Sequence, residues 1–456
     1  MSASRDHDPA SPRHARPTTV TTGNIAPPPR GTVGVVAWMR GHLFRGPFDT
    51  LATRCIAGLL VYLAWIFFDW GIASAVWEAD NRRECIAKSP HGACWAGVIA
   101  WGNRFIYGRY PDAEIWRINV ALAILLAWMA PLWLRRVRAK IAVAAGIVLL
   151  YPFWAVTLFL GGERGLFSEI TMVFAMAGFI VTMAHVLCCL VLDRGLWTCF
   201  LAFAAKLGVR DRAGFVLAAL AVAGLVAVLF HLCRDLSLAY IGTYQWGGLF
   251  LTLVVSGIGI ASALPAGILL ALGRRSRMPV IKALAIVYIE LVRSVPLVTL
   301  MFMATTMFPL FMPKDVEFNK LALAIISVCM FAAAYMAETV RGGIQAVPLG
   351  QMEAAQALGM RYWRSMGLVI LPQALRSMIP NIVGAFIDLF KGTAVISIFG
   401  FYDLTNMLGA ISQTPRWIML FYEPIFVRGS IYFIGCFAMS RYSLYLERKL
   451  GVGTRG

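Results

Sequence analysis

The chain has 456 residues, 59% of them hydrophobic and only 14% charged, with a mean hydropathy of +0.72. Soluble domains carry about 45–50% apolar and about 25% charged residues, so both departures argue against a soluble globular protein and for an integral membrane protein. A formal net charge of +18 would suit nucleic acid elsewhere, but here the basic residues cluster between apolar runs, as in cytoplasmic loops.

Residues 1–45 are rich in Pro, Thr, Ser and Arg, contain "APPPRG" and have no spanning run. They suit a disordered, basic cytoplasmic tail, either resting on anionic lipid or without function, and not a secretory signal. A span needs about 20 predominantly apolar residues. Ten segments qualify: 51–70, 117–134, 141–161, 170–192, 213–233, 246–272, 283–311, 320–340, 377–401 and 422–441. The fold class is therefore all-α and membrane-spanning. With the N-terminus inside, the loops that should be basic are so: "RRVRAK" at 135–140, Arg194 to Arg212, "RRSR" with Lys282, and Arg341 to Arg376. Both termini are then cytoplasmic.

The long loop 71–116 lies outside in this topology, with five basic residues balanced by Glu78, Asp80, Glu84, Asp112 and Glu114. Its Trp77, Trp95, Trp101 and Trp116 suit interfacial anchors. Cys85 and Cys94 can form a disulfide in an oxidising compartment or stay as two thiols, since sequence does not give their Cα separation. Cys188, Cys189, Cys199, Cys329 and Cys436 suit inert packing positions, and no cysteine or histidine spacing suits a metal.

Enzyme signatures are absent: there is no G-x-x-x-x-G-K-S/T phosphate loop, no H-E-x-x-H and no G-x-S-x-G. Charges near spans carry the remaining signal, because they are costly at membrane depth. Glu290 and Arg293 are three apart, share a helical face and form either a cytoplasmic gate or a structural ion pair; Pro296 kinks the same span. Glu338 and Arg341 repeat the spacing, before Gly342–Gly343 and Pro348 end the helix. The stretch "QMEAAQALGMRYWRSMGLVILP" (351–372) then predicts a short helix interrupted at Gly359, a second helix, and a turn at Leu371–Pro372 before the next span. Together they make a compact cytoplasmic knob whose small side chains admit another protein's surface.

Glu353, Ala354, Ala355 and Gly359, then Val369, Leu371 and Pro372, resemble the E-A-A-x3-G signature loop of permease subunits in bacterial ATP-binding-cassette importers. The segments "YIELVRSVPLVTLMFM", "AETVRGGIQAVPLGQ" and "LPQALRSMIPNIVGAFIDLFKGTAVISIFG" are similar to the polar amino acid subgroup, and "GACWAGVIAWGNRFIYGRYP" to larger permeases of general L-amino acid systems. The resemblance implies a five-span permease core at 246–456 with a coupling loop at 341–376, preceded by an extension of about five spans at 46–245. It also implies an inner-membrane importer with two permeases (homologues or copies), ATPase subunits that hold ATP and Mg, and a periplasmic amino acid-binding protein; this chain would need no cofactor. Glu353 would face a basic group on the ATPase and Gly359 would make the turn. The family's Lys-Asp-Thr-Ser-Leu is replaced by Lys391, Gly392, Thr393, Ala394 and Val395, with Asp388 three residues before Lys391, as a pathway element or a structural pair.

Other readings predict different features. A membrane enzyme needs converging His, Asp or Glu, which are not evident. An ion-driven secondary amino acid transporter needs matching Gly/Pro-broken spans in two similar halves and leaves the coupling loop unexplained. A signalling protein needs an output domain.

Overall fold

A computed structural model describes residues 35–133, 140–162, 176–183 and 238–451 except 314 and 317, with 224 and 228 as isolated residues. The tail to residue 34, the basic loops 135–139 and 194–212, and most of the spans expected at 170–192 and 213–233 lie outside the described residues. The chain forms two compact units, Met1–Ala75 and Val76–Gly456.

In the first unit, a short helix α1 (Val35–His42) precedes α2 (Pro47–Phe68), which begins on Pro47 and runs through one π turn at Asp69–Ala73. Proline suits a helix start, where its missing N–H has no partner to lose. No α2 residue is buried within the chain, so its apolar surface is suited to lipid.

The second unit is organised on two long helices, α8 (Gly248–Arg274) and α11 (Lys320–Ala346). Its earlier helices are α3 (Arg82–Lys88), α4 (Trp95–Ala100), α5 (Gly102–Tyr107), α6 (Ile115–Trp133) and α7 (Lys140–Leu160). On α8, Ser256, Gly259, Ala263, Gly267 and Ala271 form a buried stripe three or four residues apart. It meets Val328, Ala332, Met336 and Val340 of α11 in one apolar cluster. A Cβ built on Gly267 would lie 2.7 Å from the Met336 side chain, and one on Gly259 would lie 2.9 Å from Leu389. Inside a bilayer apolar side chains gain nothing by leaving lipid, so close backbone approach across small residues supplies the attraction.

Six described helices are long and apolar enough to cross a membrane: Pro47–Ala73, Asp112–Leu132, Val143–Leu160, Gly248–Arg274, Lys320–Ala346 and Ile379–Phe399. The span expected at 283–311 is different. It is two helices, α9 (Pro279–Ser294) and α10 (Leu297–Phe302, continued to Phe311), bent by 106°. Val295 is extended, at φ −104° and ψ 131°, because the ring of Pro296 crowds the helical conformation of the residue before it. The chain is therefore broken there and not merely kinked. The last helix, α17 (Tyr422–Leu450), has 29 residues and is less apolar.

The loop expected at 71–116 is, from Val76 onward, a folded cap. Helices α3, α4 and α5 enclose Val76, Cys85, Cys94, Ala96 and Phe105 with Leu404, Met407, Leu408, Ile411, Trp417 and Leu420. Trp77, exposed, stacks on the half-buried Trp95, whose ring meets the edge of Phe426, so both are packing residues. The cap meets α8 backbone to backbone: Gly108, at φ +71°, lies so near Gly247 that a Cβ would fall 2.2 Å from its Cα. Tyr110, Phe159, Trp246 and Phe250 join α6 and α7 to the same core, so residues on both sides of position 245 share one cluster. Asp403, fully buried, caps α16 (Leu404–Ala410) by accepting the Asn406 N–H at 3.0 Å; burial holds its carboxyl above the usual range.

Replacing Gly267 with Ala overpacks the α8–α11 seam and costs about 1–3 kcal/mol, lowering the thermal unfolding midpoint of the purified chain. Gly257→Ala, where an added Cβ meets nothing within 4 Å, leaves the midpoint unchanged or raises it.

Candidate functional site

Helix α11 ends at Ala346, where Val347 is extended and Pro348 starts a new helix, α12 (Leu349–Ala357). Gly359 closes α12 at φ +73°, with its N–H donating to the Gln356 carbonyl at 2.9 Å and the Met360 N–H to that of Ala355 at 3.1 Å. This paired pattern satisfies the last carbonyls of a helix and demands a left-handed residue, which glycine supplies at least cost. A Cβ on Gly359 would meet nothing within 4 Å, so the demand is conformational and not spatial.

The chain returns through α13 (Tyr362–Ser365), a π turn at Met366–Ile370 and α14 (Leu371–Ser377). The turn expected at Leu371–Pro372 is absent. Helical backbone continues through both residues, since the π turn re-spaces the hydrogen bonds around proline's missing N–H. Ala355 is buried, as are Met366, Ile370 and Ala374 of the returning strand of helix, while Leu371 is partly buried. Gly343 lets α14 lie against α11, since a Cβ there would come 2.8 Å from the Ala374 carbonyl oxygen. Glu353, Ala354, Gly359 and Pro372 remain exposed. So do the large apolar side chains Leu349 (78%), Leu358 (82%), Trp363 (71%) and Leu368 (71%). The loop thus has a seated inner side and an apolar outer side.

Beside the ends of α8, α9 and α11 lies a charged cluster. Arg274 donates to Glu290 at 2.8 Å and lies 3.5 Å from Glu338; Arg293 lies 3.9 Å from Glu338. Arg341 binds Glu338 through two guanidinium nitrogens, Nε at 2.7 Å, and reaches Gln345 at 2.7 Å. The expected Glu290–Arg293 pair is therefore replaced. The break after Ser294 leaves α9 against α8 and α11, where each charge finds a partner on another helix. Three guanidinium groups converge on Glu338. Arg274 was legible only as a basic residue ending a span; its place in the cluster is set by helix packing.

Asp388 and Lys391 pair with each other at 3.0 Å, and both side chains are more than half exposed. Thr393 is buried, and its hydroxyl donates to the Phe390 carbonyl at 2.7 Å. These three residues of α15 (Ile379–Gly392) and its continuation do not join the Glu338 cluster through any ion pair. Cys85 and Cys94 are bonded, with Cα atoms 5.8 Å apart. Among the described residues no group of three or more His, Cys, Asp or Glu could hold a metal.

A helix bundle with a small-residue seam, one broken helix pair and a compact loop after its fifth described long helix is that of a multi-pass membrane protein. Residues 263–452 match the family described as the binding-protein-dependent transport system inner membrane component. The chain is 38% identical over 440 residues to the glutamate/glutamine/aspartate/asparagine transport system permease protein BztC of Rhodobacter capsulatus, covering 93% of this chain and 95% of BztC. It is 35% identical over 418 residues to the inner membrane amino-acid ABC transporter permease protein YhdY of Escherichia coli, covering 92% and 94%. The glutamate/aspartate import permease protein GltK of Escherichia coli, 32% identical over 214 residues, is matched over 93% of its length by 45% of this chain. A solved amino acid ABC transporter crystallised with histidines is 31% identical, with a TM-score of 0.41, covering 44% of this chain and 92% of that one. The chain belongs to the family of inner membrane components of binding-protein-dependent transport systems.

Replacing Glu338 with Gln leaves three guanidinium groups short of their shared acceptor and lowers stability by about 1.5–3 kcal/mol. Asp388→Asn, at an exposed pair, changes it by less than about 1 kcal/mol. Thermal unfolding of the two variants side by side measures the difference.

Proposed function

We propose that this chain is the transmembrane permease of an ATP-driven amino acid importer and forms the translocation pathway with a second permease, a homologue or another copy. A soluble amino acid-binding protein delivers cargo outside, and a separate ATPase subunit, which holds ATP and Mg, docks on the loop 349–372 inside. The chain itself performs no chemistry and carries no cofactor. It lies in the inner membrane with both termini cytoplasmic, residues 246–456 forming the transport core and 46–245 an accessory extension.

The observation that carries this reading is the loop's two-sided construction. Ala355 is buried, Gly359 sets the turn through its left-handed backbone, and Leu349, Leu358 and Trp363 stand exposed. Exposed apolar groups around a rigid turn suit a protein cleft, with Glu353 and Ala354 on the same open side. Nucleotide-driven motion of the docked ATPase can shift the permease only through contacts that differ between two states. The loop is seated against α11 through Gly343 and α14, so its displacement reaches the Glu338 cluster directly. Glu290, Arg293, Glu338 and Arg341, with Arg274, are accordingly the gate; Asp388, Lys391 and Thr393 are pathway candidates. The relatives' names support polar and acidic amino acids as the cargo class.

Gly359→Val strains the left-handed turn, and Leu358→Ser with Trp363→Ser removes the apolar outer side. Each is expected to cut uptake of labelled amino acid at least tenfold and to lose the co-purifying ATPase, with membrane insertion unchanged. Normal uptake in both variants would refute the coupling role.

A further inference from the structure

Glu423, at the start of α17, is the most deeply buried acidic side chain of the cap–core junction after Asp403, at 1% exposure. Its Oε1 accepts the Cys94 N–H at 2.7 Å and lies 3.5 Å from the Arg82 guanidinium. Its Oε2 has no hydrogen bond. A buried carboxylate is costly without such partners, so the position of the cap decides whether this charge is tolerated.

Both partners are aimed by one covalent bond. Arg82 and Cys85 are three apart on α3 and share a face, and Cys94 opens α4. The Cys85–Cys94 disulfide holds α3 against the start of α4, so Arg82 and the Cys94 N–H arrive at Glu423 together. The Arg82 N–H also donates to the Arg416 carbonyl at 2.8 Å. Asn81 caps α3 through the Glu84 N–H at 3.0 Å, and the Glu84 carboxylate returns to the Asp80 N–H at 2.8 Å, which fixes where Arg82 begins. Around the charge, Gly97 admits Leu420 and Trp417, which a Cβ would meet at 2.6 and 2.8 Å.

We propose that Glu423, Arg82 and the Cys85–Cys94 disulfide form one oxidation-dependent latch that seats the cap on the end of the transport core, with Glu423 and Arg82 as its positioning residues. The latch rests on the outer placement of the cap proposed above, where a disulfide oxidant is at hand. One cap thiolate breaks the oxidant's S–S bond and releases its first thiolate. The other cap thiolate then breaks that mixed disulfide, forming Cys85–Cys94 and releasing the second oxidant thiolate, so the cap loses two electrons and the oxidant gains two. Oxidation precedes seating, because Cys85 and Cys94 are 1% and 0% exposed once the cap is down.

Hydrogen–deuterium exchange of the full chain in its complex, read over residues 93–107, tests this. Glu423→Gln, Arg82→Met and the double variant Cys85→Ser/Cys94→Ser are each expected to speed exchange there at least tenfold, with residues 349–360 unchanged. Arg82→Lys restores protection, since it keeps a cation for Glu423. Adding Glu423→Gln to the cysteine double variant changes exchange by less than twofold, and Arg82→Met with Glu423→Gln exchanges more slowly than either alone, because no unpaired charge is left buried. Effects that multiply in combination, or a cap that stays protected in every variant, overturn the latch. Retention of the co-purifying ATPase in the same samples shows that the transport reading stands apart from that result.

Discussion

Helices Gly248–Arg274 and Lys320–Ala346 approach closely because one of them presents glycine, alanine and serine along a whole face. That seam sets the rest of the second unit. Within lipid, oily side chains have no reason to leave their surroundings, so two helices associate only where their backbones can nearly touch and dispersion contacts become dense. Gly267 against Met336 is one such close approach, where a Cβ would lie 2.7 Å from the Met336 side chain. The C-terminal ends of both helices are brought to one place, which is where Arg274, Glu338 and Arg341 meet.

From that end the architecture follows by satisfaction of charge and backbone. Glu338 collects three guanidinium groups from three helices, with Arg293 reaching it from the last turn of Pro279–Ser294. Next to the cluster, the loop of residues 349–372 buries Ala355 and leaves its large apolar groups outward, and the helix that follows meets Lys320–Ala346 at the Gly343–Ala374 contact. The loop thus has a seated side and an open, apolar side.

The opposite end of Gly248–Arg274 is closed by the cap. Three short helices, a disulfide and one buried glutamate bind sequence segments more than three hundred residues apart into a second apolar cluster. The cap meets the start of Gly248–Arg274 through two glycine backbones, Gly108 and Gly247.

Much of this was decided by the sequence itself. Apolar run length placed the six described spans, proline and glycine marked the break and the turn, and Glu353 to Pro372 announced the loop and its family. These are local properties: helix length, backbone freedom at Gly359 and a motif read residue by residue. Partnership was decided only by the tertiary structure. Spacing of three suggested Glu290 with Arg293, yet packing gave Glu290 to Arg274 and Arg293 to Glu338. The π turn that carries Leu371–Pro372 without a bend, and the folding of residues 76–111 into a cap over Glu423, left no local signal. A charge buried in a low-dielectric site takes whichever partner the helices bring near, and sequence distance does not measure that nearness.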